Sequence, residues 1–292
     1  MSAEYVAPVG FIGLGQIGAP MATHLLSHPG GLVVCDLRPE ATAPFAEQGA
    51  TVVSTPAELA ATGAAVISVM VLNDDQVRQV VGELLEVAQP GTVIAIHSTI
   101  APATAEELAV TAIAQGVSVI DAPVSGGFMG AHAGELAVLV GGTDEAFAIC
   151  KVPFKRFAKM VIHFGPAGAG TRAKLARNLL TFASYAVAAE SQRLAEAAGL
   201  DLIALARVVR HSDSLTGGPG SIMLRATTEP LDPSDSLYSI LLHTRGLGEK
   251  DLGLALDLGH ELGVDLPFTS LALERFADGL GLSHDADESG PS

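Results

Sequence analysis

The stretch Val9-Gly10-Phe11-Ile12-Gly13-Leu14-Gly15-Gln16-Ile17-Gly18 decides the fold. Its first four residues read as a buried strand, and the run 19–26 that follows reads as a helix. Between them stand three glycines in the spacing Gly13-x-Gly15-x-x-Gly18. Gly13 permits a tight turn, Gly15 lets the backbone approach a pyrophosphate, and Gly18 lets the helix pack close to the strand. Gln16 and Ile17 complete this cofactor loop. A second apolar run, Leu32-Val33-Val34-Cys35, ends at Asp36. A carboxylate there accepts hydrogen bonds from the hydroxyls of an adenosine ribose. It also stands where the 2′-phosphate of NADP would sit, so NAD is the expected cofactor and NADP the less favoured one. Arg38 is a cation close enough to meet such a phosphate and tempers that preference.

Outward from this loop, the first half of the chain alternates apolar strands with helical segments. The strands are expected at 8–13, 32–36, 65–70, 92–97, 117–121, 136–141 and 160–164. This is the pattern of an α/β fold with a doubly wound, mostly parallel sheet. Gly165-Pro166 punctuates its end. The second half has no strand runs and reads as helices at 170–198, 202–211, 247–262 and 267–280, with Asp201 as an N-cap. The stretch 212–239, rich in Ser, Thr, Gly and Pro, reads as a loop with short helices. The expected division is a dinucleotide-binding domain at 1–166, an all-helical domain at 167–282 joined to it by a long helix, and a disordered acidic tail at 283–292. Two domains so joined would form a cleft, a common small-molecule site.

Composition narrows the function. Apolar residues make up 49% of the 292, enough for a sizeable core. A net charge of −16 argues against nucleic acid and against anionic membrane surfaces as partners. No apolar run is long enough to span a bilayer and no secretory start is seen, so a cytoplasmic protein is expected. Cys35 and Cys150 read as reduced, buried thiols. His24 and His28 have helical metal-ligand spacing, but no third ligand stands near and no metal is expected. Seven basic residues and no acidic one fall between Lys151 and Arg177. Lys151, Lys155 and Lys159 read as one solvated helix face, whereas Arg172, Lys174 and Arg177 read as a local positive site able to draw in an anionic substrate.

Two further motifs carry chemistry. Asp121-Ala122-Pro123-Val124-Ser125-Gly126-Gly127 follows an apolar strand and offers a hydroxyl and backbone N–H groups at a strand's carboxyl end, a place to hold a carboxylate. Gly168-Ala169-Gly170-Thr171-Arg172-Ala173-Lys174-Leu175-Ala176-Arg177-Asn178 opens a long helix on which Lys174 and Asn178, four apart, share a face.

With the glycine loop and the late Lys250-Asp251 pair, these motifs resemble the β-hydroxyacid dehydrogenase family, which includes 3-hydroxyisobutyrate dehydrogenases and tartronate semialdehyde reductases. The resemblance runs from Val9 to about residue 280. It implies a Rossmann-type first domain and hydride transfer between NAD and a small 3-hydroxy acid or its semialdehyde. It implies that Lys174 is the general acid/base, that Asn178 contacts the substrate or orients Lys174, and that Ser125, Gly126 and Gly127 hold the substrate carboxylate. It places Met70, Ser98, Thr99 and Lys250 beside the cofactor and implies a homodimer or homotetramer. Leu252, Leu254, Ala255, Leu256 and Leu258 put apolar residues on more than one helix face, more than a lone small domain readily buries, which also favours self-association. Departures from the family pattern fall at Arg177, where Asn is usual, at Leu72-Asn73, where a proline is usual, and at His243, where Phe is usual. Arg177 opens the option of a second anionic group on the substrate. Imine reduction, run on a similar architecture that usually lacks this lysine, and a non-catalytic cofactor-binding oligomer are the alternatives.

Overall fold

The computed structural model describes residues 6–282, and the expected tail at 283–292 lies outside them. Two compact units are formed, Met1–Arg177 and Asn178–Ser292. The division falls later than the expected boundary after residue 166, because the first turn of the long helix is bonded to the sheet.

The first unit runs β1 (Val9–Ile12), α1 (Gly18–Thr23), β2 (Leu32–Cys35), α2 (Pro39–Glu47), β3 (Thr51–Val52), α3 (Pro56–Ala61), β4 (Val66–Val69), α4 (Asp74–Leu85), β5 (Val93–Ile96), α5 (Pro102–Ile113), β6 (Ser118–Asp121), β7 (Val124–Ser125), α6 (Gly127–Ala133), β8 (Leu136–Gly141), α7 (Asp144–Phe154) and β9 (Ala158–Gly165). The long helix α8 (Ala169–Ala197) follows and crosses into the second unit. The sheet has the order β3-β2-β1-β4-β5-β6-β8-β7, with β9 pairing β8. Neighbours from β3 to β6 are parallel, while β8 runs antiparallel to β6 and β7. Every residue of β1, β2, β4 and β5 is buried, which explains their apolar runs, broken in β4 only by Ser68: helices cover both faces. Successive side chains point to opposite faces, so Phe11 joins one core cluster with Met21, Phe154 and Phe157, and Ile12 joins the other with Ile67, Leu84 and Ile94.

Some expectations need correction. The two-residue strands β3 and β7 are too short for any periodic signal. Lys151, Lys155 and Lys159 do not share a helix face: α7 ends at Phe154, Lys155 caps it, and Lys159 lies on β9 beside Glu135 at 3.3 Å. Among the described residues β9 pairs with β8 alone, and Met160, Ile162 and Phe164 on it are exposed.

In the second unit α9 (Leu202–Thr216) starts at the expected cap, where Asp201 accepts hydrogen bonds from the N–H groups of Ile203 and Ala204 at 2.8 and 3.1 Å. It runs past residue 211 with the hydroxyls of Ser214 and Thr216 turned back onto carbonyls of their own helix, and Gly217, in the left-handed conformation, ends it. α10 (Tyr238–Leu262) starts earlier than residue 247, since Leu241 and Leu242 pack in a cluster with Leu280 and Leu282. α11 (Pro267–Gly279) crosses α10 at Gly248, where a β-carbon would come within 2.2 Å of the Phe276 ring. Among the described residues no helix is long and apolar enough to cross a membrane.

Glu190, on α8, is 1% exposed and caps α11 from a distance. Its carboxylate accepts the Phe268 N–H at 2.8 Å, the Thr269 N–H at 2.9 Å and the Thr269 hydroxyl at 2.7 Å. Burial alone would raise its pKa, but the bonds from Phe268 and Thr269 and the charge of Arg193 hold it below the usual range. A lowered carboxylate contributes stability that is complete above its unfolded value, about 4.3, and is lost as pH falls through the folded value. Glu190→Gln is therefore expected to destabilise the second unit by about 1.5–3 kcal/mol near neutral pH. Thermal melts against pH check this: the gap to wild type should close in acid, and a pH-independent gap refutes the assignment.

Candidate active site

Four parallel strands end flush. Ile12, Val69, Ile96 and Asp121 are register partners across β1, β4, β5 and β6. The residues that follow them, Gly13, Met70, His97 and Ala122, therefore form a row at the carboxyl edge. Strand order reverses between β1 and β4, which makes the crevice at that edge the natural ligand site of such a sheet.

The glycine loop has the geometry its spacing calls for. Gly13 has φ +91°, and a β-carbon on it would lie 2.1 Å from the Met70 carbonyl oxygen. A β-carbon on Gly18 would lie 2.0 Å from the Gly13 oxygen. Gly15 differs: its β-carbon would meet no protein atom within 4 Å. The space above Gly15 is thus not needed by the fold. The N–H groups of Gly15, Gln16 and Ile17 have no hydrogen-bond partner among the described residues. An open cradle rimmed by unpaired donors fits a pyrophosphate.

Asp36 closes the loop from β2. One carboxylate oxygen accepts the Leu14 N–H at 2.6 Å; the other accepts the Arg38 N–H at 2.9 Å and Arg38 Nε at 3.1 Å. Burial pushes its pKa up, and these bonds more than reverse that, leaving the carboxyl below its usual range. Arg38 Nη2 also reaches the first oxygen, at 3.4 Å, so the roughly four acceptor positions of the carboxylate are engaged, and a ribose hydroxyl would bond it by displacing the exposed Arg38 side chain.

On the other side of the crevice, Ser98 is buried and its hydroxyl is committed: it donates to the Val71 carbonyl at 2.7 Å and accepts the Val71 N–H at 2.9 Å. It shapes the edge next to Met70, and the exposed Thr99 beside it is the residue open to a ligand. His97, 1% exposed, lies behind them. Its Nδ1 is 2.7 Å from the Ala122 carbonyl, which can only accept, so Nδ1 carries the proton and Nε2 accepts from the Ser68 hydroxyl at 3.0 Å. Burial among Phe11, Phe154 and Phe157 lowers its pKa to about 4. It is neutral at physiological pH, and no histidine signal in the sequence marked it.

Beyond Asp121 the chain makes the short β7 and turns at Ser125-Gly126-Gly127. Gly126 has φ +132° and Gly127 φ +61°, conformations that require the two glycines. Asp121 itself is 1% exposed and accepts the Gly168 N–H at 2.7 Å with Oδ1 and the Thr171 N–H at 2.6 Å with Oδ2. It holds the start of α8. The contact is tight: a β-carbon on Gly170 would lie 2.2 Å from the Leu139 oxygen, and one on Gly141 would lie 2.4 Å from Asp121 Oδ1. Lys174 follows within α8 and is 8% exposed. Burial, and then the charge of Arg177, lower its pKa to about 8. Asn178 is on the same helix one turn further. Arg172 turns to Glu106 of α5 as an ion pair, so it is not part of the expected positive site. Lys250 is on α10, 59% exposed and 2.7 Å from Asp251. Two shallow concavities, about 580 and 550 Å³, lie around the turn from α10 to α11 and gather no comparable chemistry. His24 Nε2 lies 3.0 Å from the Ala131 carbonyl.

Residues 8–165 match the family described as the NAD binding domain of 6-phosphogluconate dehydrogenase. A 3-hydroxyisobutyrate dehydrogenase of Pseudomonas aeruginosa is 34% identical over 97% of this chain and 94% of its own length. The crystal structure of a protein from Mycobacterium avium has a TM-score of 0.92 at 57% identity, over 94% of this chain and 99% of its own. That of Mycobacterium tuberculosis 3-hydroxyisobutyrate dehydrogenase with L-serine has a TM-score of 0.65 at 31% identity, over 95% and 96%.

Gly15→Ala separates fold from cofactor binding. The melting temperature should be unchanged, because the added methyl meets no protein atom. NAD affinity by calorimetry should fall on the order of tenfold or more, about 1.4 kcal/mol. Unaltered affinity would place the pyrophosphate elsewhere.

Proposed function

We infer from the chain's membership of the β-hydroxyacid dehydrogenase family that this oxidoreductase transfers a hydride between NAD and a small 3-hydroxy acid or the matching semialdehyde. The observation that carries the reading is Lys174, a lysine withdrawn from water with its pKa lowered to about 8, on a helix whose first turn is bonded to the same strand end that leads to Ser125-Gly126-Gly127.

The nicotinamide supplies or accepts the hydride. The chain's own residues supply position and the proton. Gly13 to Gly18 and Asp36 hold the nucleotide, and Thr99 faces it beside Met70 and Ser98; Lys250 is assigned to the cofactor by the resemblance alone. Ser125 and the N–H groups around Gly126 and Gly127 hold the substrate carboxylate. Lys174, as the ammonium, gives a proton to the carbonyl oxygen during reduction; as the amine, it takes the hydroxyl proton during oxidation. Asn178 holds the substrate hydroxyl or Lys174. Oxidation needs the amine and so rises with pH through about 8, while reduction needs the ammonium and falls through the same value. A carboxylate fixed at one end and a proton shuttle at the other favour a compact acid. Asp36 favours NAD.

One experiment tests substrate, cofactor and lysine together. Initial rates with 3-hydroxyisobutyrate and with its methyl ester, using NAD and NADP, are measured for wild type and Lys174→Ala. The acid with NAD should give the highest kcat/KM. Lys174→Ala should lower kcat by roughly 10² to 10⁴ and leave NAD affinity in place. Equal rates for acid and ester refute the carboxylate anchor, a preference for NADP refutes the role given to Asp36, and an active Lys174→Ala refutes the proton shuttle.

The helices of the second unit support self-association as a dimer or tetramer. α9 buries none of its residues, and Leu179, Phe182 and Tyr185 of α8 are exposed. Amphipathic helices are stabilised chiefly by packing, and among the described residues these leave large apolar side chains exposed. Light scattering at micromolar concentration should give at least twice the 29.8 kDa chain mass; a monomer overturns this.

A further inference from the structure

The proton shuttle is only as well placed as the helix that carries it, and that helix is held by a residue with no part in the chemistry above. Asp121 ends β6, and its two oxygens bond the N–H groups of Gly168 and Thr171, 47 and 50 residues further along the chain. An N-cap from the preceding residue would fix a helix start to its own loop. This one fixes it to the sheet. Thr171 lies one helical turn before Lys174, and Asp121 leads through Pro123 to Ser125. The carboxylate therefore joins the turn just before the proton shuttle to the strand that leads into the carboxylate anchor. Gly141 and Gly170 remove any slack, since a β-carbon on either would lie within 2.4 Å of an atom across the contact.

We propose that Asp121 is a positioning residue, setting Lys174 against the Ser125-Gly126-Gly127 loop by clamping the first turn of α8 to the end of β6. The proposal rests on Lys174 as the proton shuttle, and its test does not depend on which acid is turned over. Two variants are used, because either could fold poorly alone. Asp121→Asn keeps one acceptor in place, and Asp121→Glu keeps the charge but moves it by a methylene. The titration of Lys174 is followed by NMR on lysine-labelled protein. Burial is the larger cause of its lowered pKa, so a loosened first turn should admit water and carry the midpoint from about 8 up toward the ordinary lysine range. In the same variants kcat for the preferred acid should fall on the order of 10²-fold, its pH midpoint should move alkaline with Lys174, and NAD affinity should stay within about twofold, since the glycine loop is untouched. A purely structural cap would lower the melting temperature and leave the Lys174 midpoint where it is. A folded variant whose Lys174 still titrates at about 8 overturns the proposal. A moved midpoint in an enzyme inactive on every 3-hydroxy acid upholds the clamp and refutes the substrate reading instead.

Discussion

A carboxylate buried at a strand end is the constraint on which the first unit's chemistry depends. Left alone, Asp121 would be costly to keep from water. Two backbone N–H groups at the start of α8, those of Gly168 and Thr171, offset that cost, and in return the helix start is fixed to the sheet. The flush ends of β1, β4, β5 and β6 then do the rest. They set the glycine loop, Met70, Ser98 and the Ser125 turn in one row, and α8 is bonded to the end of that row. Lys174 lies one turn along the helix so held, and burial, then the charge of Arg177, lowers its pKa.

The same device recurs in the second unit. Glu190 grips the start of α11 as Asp121 grips the start of α8, each through two backbone N–H groups far along the chain. One is an aspartate on a strand and the other a glutamate on a helix, so the recurrence lies in the physics of helix ends rather than in a sequence repeat.

The glycine loop was legible because glycines at Gly13 and Gly18 answer to backbone collisions that any helix packed so close must avoid. The order of strands and helices was legible from long apolar runs and their spacing, and Asp201 from its place ahead of α9. Neither Asp121 nor Glu190 could be given its partners, because a non-local cap leaves no local pattern: each is one acid in an ordinary stretch. Ser98 was placed beside the cofactor by the resemblance; its two bonds to Val71, 27 residues away, leave no local trace in the sequence. The serines after residue 211 read as a loop because their capacity to bond their own helix is invisible in composition. His97 left no signal for the same reason: Ser68 and Ala122 reach it only across strands.

Strand β9 leaves a question of solubility that neither cofactor nor catalysis touches. Its outer edge has no partner among the described residues, and Met160, Ile162 and Phe164 stand exposed along it. A bare apolar edge is a template for adding a strand from another molecule. Lys159, near its start, is already paired with Glu135 and guards it little. What keeps two such edges apart at a distance is the net charge of −16. That repulsion is screened within about 10 Å at 0.1 M salt, while the edge itself is indifferent to salt. The uncovered chain is therefore best kept dispersed at low ionic strength and well above its isoelectric point of about 4.8, and moderate salt, harmless to the fold, withdraws its protection.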